Sequence, residues 1–391
     1  MPLALQAGKE RSGFMIVYVA QSGDTLPSVA RRFHLAAEEL GRSNALGDPV
    51  RLTPGLALAV PAESGTLRKE IVVVACASPS LSSVRAEKAA EHASFLCSLP
   101  CPLAPGGGPA APESDALVQA ARRQGALPLL GVANLAQDGT FSAALGHAVL
   151  SDSRARDAFF AGLLSLLEER GFRGVYLHLM YLYPFDRERL SAFLREAETL
   201  LHRHGYLLVT AVPPRESDDA GGPLDAAHDY DALAACSDWV VLASGGRGHA
   251  YSDPRPLSPL DGVRRALDHA AARIGPGRLL LGAADCACSW TLPWREGRAA
   301  SLMSGAAAAN LAVASGAEIR YEAQSASSHF RYRDDALERH EVWFEDVRGF
   351  LRRGALVKEY GLGGLFRWSA DAPSPPLLMA QEELFTAVKL L

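Results

Sequence analysis

Aromatic residues make up only 7% of this 391-residue chain, which is sparse for a protein that handles sugars. No stretch approaches the roughly 20 consecutive apolar residues that a membrane helix requires. Six cysteines, Cys76, Cys97, Cys101, Cys236, Cys286 and Cys288, are too few and too scattered for a disulfide scaffold, which points to synthesis in a reducing cytoplasm. Basic charge is not in excess: 39 Lys and Arg face 44 Asp and Glu, for a net charge of -5. That balance argues against nucleic acid or a membrane surface as a partner. Residues 1–14 contain Lys9, Glu10 and Arg11 but no apolar run of the kind an export signal needs. Met15 would serve equally well as a start, so 1–14 is expected to be a disordered extension. What remains is 48% hydrophobic and 21% charged, enough for one large core and a small second domain.

Residues 15–62 read as that small domain. Ile16–Ala20 is strand-like, and Ser22-Gly23-Asp24-Thr25 is a turn with two helix-capping candidates. Leu26, Val29, Ala30 and Phe33 follow at helical spacing, and a second short helix covers Ala36–Ser43, with Asn44 suited to its end. Pro54-Gly55 turns into a closing strand, Leu56–Val60. This βααβ order, with Tyr18-Val19, Gly23-Asp24-Thr25-Leu26, Asn44, Leu46, Pro54-Gly55 and Leu58 through Pro61, resembles a LysM module. The resemblance implies binding of N-acetylglucosamine-containing glycan such as peptidoglycan or chitin. The groove it implies lies between Gly23, Asp24, Thr25 and Leu26 on one side and Asn44, Leu46 and Pro49 on the other. A single such module binds weakly, because avidity comes from repetition.

After a polar link at 63–69, strand and helix patterns alternate to the end of the chain. Apolar strand cores fall at Ile71–Cys76, Ser94–Cys97, Leu127–Val132, Gly174–Leu179, Leu207–Val212, Trp239–Ala243, Leu279–Ala283 and Gly364–Trp368. Eight strands, each followed by a helical pattern, predict an α/β fold, a (β/α)8 TIM barrel over 70–391. A small β insertion is expected around 317–340. In such a barrel chemistry sits at the C-terminal ends of the strands.

His147 through Asp152, Gly171 through Val175, His228-Asp229-Tyr230, Ser289 through Pro293, His340 through Asp346 and Val357 through Leu362 fall along this region in that order. In these stretches it resembles glycoside hydrolase family 18, in particular its LysM-bearing spore-cortex N-acetylglucosaminidases. The resemblance implies substrate-assisted cleavage, outside the usual two-carboxylate scheme. A Glu after strand four protonates the glycosidic oxygen, an Asp two residues earlier positions the substrate acetamido group, and a strand-six Tyr helps hold it. The strand-four signature D-x-x-D-x-D-x-E falls here on Arg173, Tyr176, His178 and Met180, and the strand-six Tyr falls near Gly245. A thioether has no proton to give, and His178 could bring positive charge where a hydrogen-bond acceptor is wanted. Tyr181, Trp290 and Trp368 remain as residues of a residual sugar cleft.

On this reading the protein is a non-catalytic, glycan-binding member of the family. It would be made without a signal peptide and deposited on the coat or cortex of a bacterial spore, with peptidoglycan and spore coat or cortex proteins as partners. No cofactor is implied. The alternative is an active hydrolase of N-acetylglucosamine-containing wall glycan using rearranged residues, with Asp285 or Asp186 as acid. A third possibility is a metal or redox site built from His178, Asp285, Cys286 and Cys288, although the Cys286-x-Cys288 spacing matches no standard zinc ribbon. Ser244 through Gly248 is glycine-rich but lacks the frame of a phosphate-binding loop.

Overall fold

The computed structural model describes residues 14–47, 51–62, 68–104, 106–136, 138–218, 222, 225–243, 250–368 and 374–390. The extension 1–13, most of the 63–69 link, Pro49 and Gly245 lie outside the described residues.

The N-terminal module runs β1 (Phe14–Val19), α1 (Leu26–Arg32), α2 (Ala37–Ser43) and β2 (Ala57–Ala62). The two strands pair antiparallel from Phe14 opposite Ala62 to Val19 opposite Ala57. Thr25 starts α1 with a reciprocal cap: its Oγ1 accepts from Ser28 N at 3.1 Å, and Ser28 Oγ accepts from Thr25 N at 2.9 Å. Pro27 occupies the first turn, where its missing N–H costs nothing.

The barrel strands are β3 (Lys69–Ala77), β4 (Phe95–Ser98), β5 (Leu127–Ala133), β6 (Gly174–His178), β7 (Leu207–Val212), β8 (Trp239–Leu242), β9 (Leu279–Ala284) and β15 (Gly364–Trp368). All pair parallel in chain order, and β15 closes on β3. At that seam Gly364 is required, because a Cβ there would lie 1.7 Å from the Val72 carbonyl oxygen. The strands are followed by α3 (Ser83–Glu91), α4 (Asp115–Arg123), α5 (Ala143–Ser151) with α6 (Ser153–Arg170), α7 (Arg187–Arg203), α8 (Tyr230–Cys236), α9 (Leu260–Ile274), α11 (Val347–Glu359) and α12 (Pro375–Leu384). A last strand, β16 (Phe385–Ala387), adds parallel to the start of β3. Alternate strand residues fill the barrel interior, among them Val74, Phe95, Leu129, Tyr176, Val209, Val241, Leu280 and Phe366. Their neighbours, such as Leu96, Leu130, Val175 and Leu281, pack outward on the helices.

Between β9 and α11 the chain inserts β10 (Ala287–Leu292), β11 (Ser301–Met303), α10 (Gly305–Ser315), β12 (Arg320–Glu322), β13 (Ser327–Arg333) and β14 (Arg339–Phe344). These strands form one antiparallel sheet, ordered β11-β10-β14-β13-β12. The insertion begins at Ala287, well before the segment around 317–340 that the strand pattern singles out. The reason is local: α10 is almost entirely Gly, Ala and other apolar residues, so it carries no amphipathic contrast to mark it. Its small side chains serve a packing purpose. Ala308 and Ala312 join Ile319, Phe330, Val342 and Phe344 in one apolar core with Leu26, Val29, Leu40, Leu56 and Leu58 of the N-terminal module. The module is thus packed onto the insertion rather than tethered beside it.

Candidate functional site

The open end of the barrel is organised around β6 and the turn that leaves it. Asn134, the first polar residue after the wholly buried strand β5, clamps that turn from both sides. Its Oδ1 accepts from Met180 N at 3.0 Å, and its Nδ2 donates to the Met180 carbonyl at 2.9 Å. From the β7 side, His228 Nε2 donates to the Leu179 carbonyl at 2.7 Å. Held this way, Met180 packs into the barrel interior and Tyr181 turns outward with a φ of 52°.

The side chains at this mouth form a continuous aromatic run in which Tyr181 is exposed and Trp368, His178 and Phe141 are half-buried. Trp368 lies 5.0 Å from the His178 ring, His178 lies 5.1 Å from Phe141, and Phe141 meets Tyr181 edge-on at 5.4 Å. Beneath them Tyr176 stacks on His178 at 5.5 Å and lies tilted against Phe366 at 4.6 Å. Burial, with His228 adding to it, pulls the pKa of His178 down to about 3. The imidazole is therefore neutral near neutral pH, and the positive charge that the sequence allows at this position is absent. Tyr181 is 48% exposed, and burial of the rest of its ring with Asp225 nearby raises its pKa, so its hydroxyl keeps its proton.

The four positions of the strand-four signature do not form one cluster. Arg173 is exposed at the opposite, N-terminal end of β6, where its carbonyl accepts from Leu207 N. Tyr176 is fully buried in the interior, and burial pushes its phenol well above its ordinary pKa. Only His178 and Met180 reach the mouth. Trp290, expected in the cleft, belongs instead to β10: it is 1% exposed, packs with Cys288 and Trp343, and donates from Nε1 to the Ser252 carbonyl. Its place in the sequence, close behind the seventh barrel strand, hid the fact that the inserted sheet had already begun.

The residues weighed as metal ligands, His178, Asp285, Cys286 and Cys288, form no group of three within ligand reach of one another. Asp285 Oδ1 accepts from Gly305 N at 3.0 Å at the start of α10, and burial raises the carboxyl above its usual range. Burial pushes Cys286 up to about 12 and Cys288 up to about 11, and Cys288 lies in the inserted sheet. His178 belongs to the aromatic stack described above. Among the described residues, the one grouping of three such side chains within ligand reach of each other is Asp334, Glu338 and His340. There Asp334 and His340 already satisfy each other at 3.0 Å.

In the N-terminal module the expected groove residues divide by role. Asp24 accepts from the Tyr18 hydroxyl and from Gln21 N, both at 2.7 Å, and Thr25 caps α1. Gly23 makes the turn between β1 and α1, with a φ of 87°. Leu26 and Leu46 are buried core residues. Asn44 is buried too: its Nδ2 donates to the Leu40 and Ala59 carbonyls, and its Oδ1 accepts from Ala59 N at 2.7 Å. Its amide thus ties α2 to β2, a structural role at a position that the sequence places in the glycan groove. The loop after Asn44 is occupied by the barrel's insertion. Asn310 of α10 donates to the Ala45 carbonyl at 2.8 Å and accepts from Gly47 N at 3.2 Å. Thr53 donates to the Ala317 carbonyl, Ile319 N donates to Pro54 O at 2.9 Å, and Arg348 donates to Gly55 O at 3.1 Å. Between module and barrel remains a cavity of about 30 Å³, lined by Asn44, Leu46, Gly305 and Ser374 among others. It has room for a water molecule.

A closed barrel of eight parallel strands with an aromatic mouth, joined to a βααβ module, defines a LysM-bearing (β/α)8 protein. The LysM domain profile matches residues 18–61, and that of Glycosyl hydrolases family 18 matches residues 138–372. The chain belongs to glycosyl hydrolase family 18. It is 32% identical over 278 residues to the cortical fragment-lytic enzyme of Bacillus anthracis, covering 71% of this chain and 64% of that enzyme. Among solved structures it resembles the spore cortex-lytic enzyme SleL of Bacillus megaterium QM B1551, with a TM-score of 0.78 and 26% identity, over 96% of this chain and 87% of that one. The SleL structure from Bacillus cereus gives a TM-score of 0.77 and 28% identity, over 96% and 88% of the two chains. These names overturn the expectation of a non-catalytic, pseudoenzyme role. The proteins that this chain matches over most of its length are named as lytic enzymes of the spore cortex. Among the described residues, no helix is long and apolar enough to cross a membrane.

Proposed function

We propose that the protein is a glycoside hydrolase of N-acetylglucosamine-containing cell-wall glycan, acting on the peptidoglycan of bacterial spores. The observation that carries this reading is the match, over almost the whole chain, to spore cortex-lytic enzymes of the same fold. The aromatic mouth supports it, since aromatic faces pack on the apolar faces of pyranose rings. The chemistry implied by the family is attack of the substrate's own acetamido oxygen on the anomeric carbon while the departing oxygen takes a proton. Met180 has no proton to give. Of the carboxylates weighed as replacements, Asp285 is held at the start of α10, and Asp186 is fully buried under His147 and Arg189.

Among the described residues, the mouth offers the hydroxyl of Tyr181, with Asp225 near it, and the imidazole of His178 packed against Trp368. We assign proton donation to Tyr181 and the holding of the acetamido group to neutral His178, which can donate from one ring nitrogen and accept at the other. The test is turnover of purified cortex fragments by the intact chain and by Tyr181→Phe. Loss of the proton donor lowers the rate by ~10²–10⁴-fold with little change in KM. An unchanged rate in Tyr181→Phe removes Tyr181 from the chemistry. The module and the relatives further support deposition at the spore cortex or coat, where glycan is the partner. Labelling of the protein in sporulating cells tests that placement.

A further inference from the structure

The turn that leaves β6 continues past Tyr181 into a second aromatic surface that the cleavage chemistry leaves unused. Tyr183 and Phe185 stack face to face, with centroids 5.0 Å apart and planes within 16°. Phe185 is 62% exposed. Both rings meet the edge or face of His147, from α5, at 5.9 and 5.4 Å. That imidazole is fixed: its Nδ1 donates to Asp186 Oδ1 at 2.8 Å and lies 3.0 Å from Oδ2. Asp186 is fully buried and also accepts from Arg189 Nη1 at 3.3 Å. With Nδ1 committed, Nε2 points away from the carboxylate, on a side chain that is one-third exposed, and has no partner among the described residues.

We infer that Tyr183, Phe185 and His147 form a second sugar-binding subsite that receives an N-acetylated pyranose of the glycan strand beyond the residues held at the barrel mouth. Three features favour a sugar over a bare surface contact. A stacked, exposed ring pair offers the flat apolar face that the C–H side of a pyranose requires. A buried carboxylate orients the neighbouring imidazole and fixes its tautomer, so one polar atom is presented at a set angle to that face. And the platform follows the mouth directly in the chain, since Tyr183 and Phe185 lie two and four residues after Tyr181, between Met180, held by Asn134, and Asp186, bound to His147. A helix start alone needs neither an exposed phenylalanine nor a pinned imidazole. The occupant is the same glycan proposed as substrate, so the inference rests on that reading and assigns it a longer strand.

The test uses the full chain with chitohexaose and chitobiose as probes. Phe185→Trp keeps the platform and places a reporter on it. Adding chitohexaose shifts or quenches its emission, measured as the difference from the parent chain, and an unchanged difference spectrum overturns the subsite. Phe185→Ala weakens chitohexaose binding about 3–10-fold while leaving chitobiose binding and the melting temperature unchanged. Equal chitohexaose affinity in Phe185→Ala and parent also overturns it. Both readouts are binding, so they stand whether or not the chain cleaves its substrate. A chain that binds at Trp-substituted position 185 without hydrolysis refutes the proposed activity and leaves the subsite in place.

Discussion

Replacing Asn44 by alanine separates a structural role from a ligand-binding one. The Asn44 side chain makes three buried hydrogen bonds: from Nδ2 to the Leu40 and Ala59 carbonyls, each at 2.9 Å, and from Ala59 N to Oδ1 at 2.7 Å. Truncation leaves both backbone groups of Ala59, a residue with no solvent exposure, without those partners. An unsatisfied buried backbone group costs about 1–3 kcal/mol, so the pair alone predicts a loss of roughly 2–6 kcal/mol. The upper part of that range applies only if no water enters the neighbouring cavity to replace the amide. Because the module shares its core with the inserted sheet, the loss registers in the unfolding of the whole chain. The assay is urea unfolding of Asn44→Ala beside the parent, with chitopentaose titrations run far below the midpoint. The expected result is a lower midpoint with glycan affinity retained by the molecules still folded. An unchanged midpoint with lost affinity would refute the reasoning and return Asn44 to the glycan groove.

Acid stability depends on His178. Its folded pKa, near 3, lies below the ordinary value of 6.5, so the unfolded chain binds more protons between those values. Stability is therefore complete above about pH 6.5 and declines as pH falls toward 3, by ~1.4 kcal/mol per unit at most. His178→Gln flattens the pH 4–7 dependence of the urea midpoint, and a slope equal to that of the parent would count against the buried neutral imidazole. His228, depressed by burial as well, contributes in the same direction and remains in both proteins. The docking of the module is tested by two alanine substitutions at glycines of similar conformation. At Gly55, with φ of 84°, a Cβ would lie 1.8 Å from the Ile319 carbonyl oxygen, whereas at Gly23, with φ of 87°, nothing lies within 4 Å. Gly23→Ala shows only backbone strain, about 1 kcal/mol, while Gly55→Ala loses more and opens the module to limited proteolysis. Equal losses at both positions would mean that the close packing of module and insertion is not retained in solution.

Much of this architecture is legible in the amino-acid order because each level repeats the same message. The barrel strands are short apolar runs bounded by turn residues, and the module combines a capping turn, two short helical patterns and a Pro54-Gly55 turn. The insertion is less legible. Its helix is Gly- and Ala-rich all round, and its first strand follows β9 so closely that Trp290 looks like a barrel residue. The mouth is legible at His178, Met180, Tyr181 and Trp368, which lie at strand ends. Asn134, Phe141, His147 and Phe185 are not, since their approach to β6 depends on where the turns after β5 and β6 lead. Charge state is the least legible of all: burial of His178 among Trp368, Tyr176 and Phe141, with His228 adding to it, makes the imidazole neutral. The replaced signature positions Arg173, Tyr176, His178 and Met180, with Gly245 near the place of the strand-six Tyr, point away from the activity that the relatives support.

Hydrolysis itself is tested by incubating the purified full chain with spore-cortex glycan fragments in water enriched in ¹⁸O and separating the products by liquid chromatography with mass detection. A glycoside hydrolase of the proposed kind releases fragments carrying one ¹⁸O at a new reducing-end N-acetylglucosamine, at a rate reduced in Tyr181→Phe. Fragments that stay uncleaved and unlabelled, with the chain folded and bound to them, would contradict it.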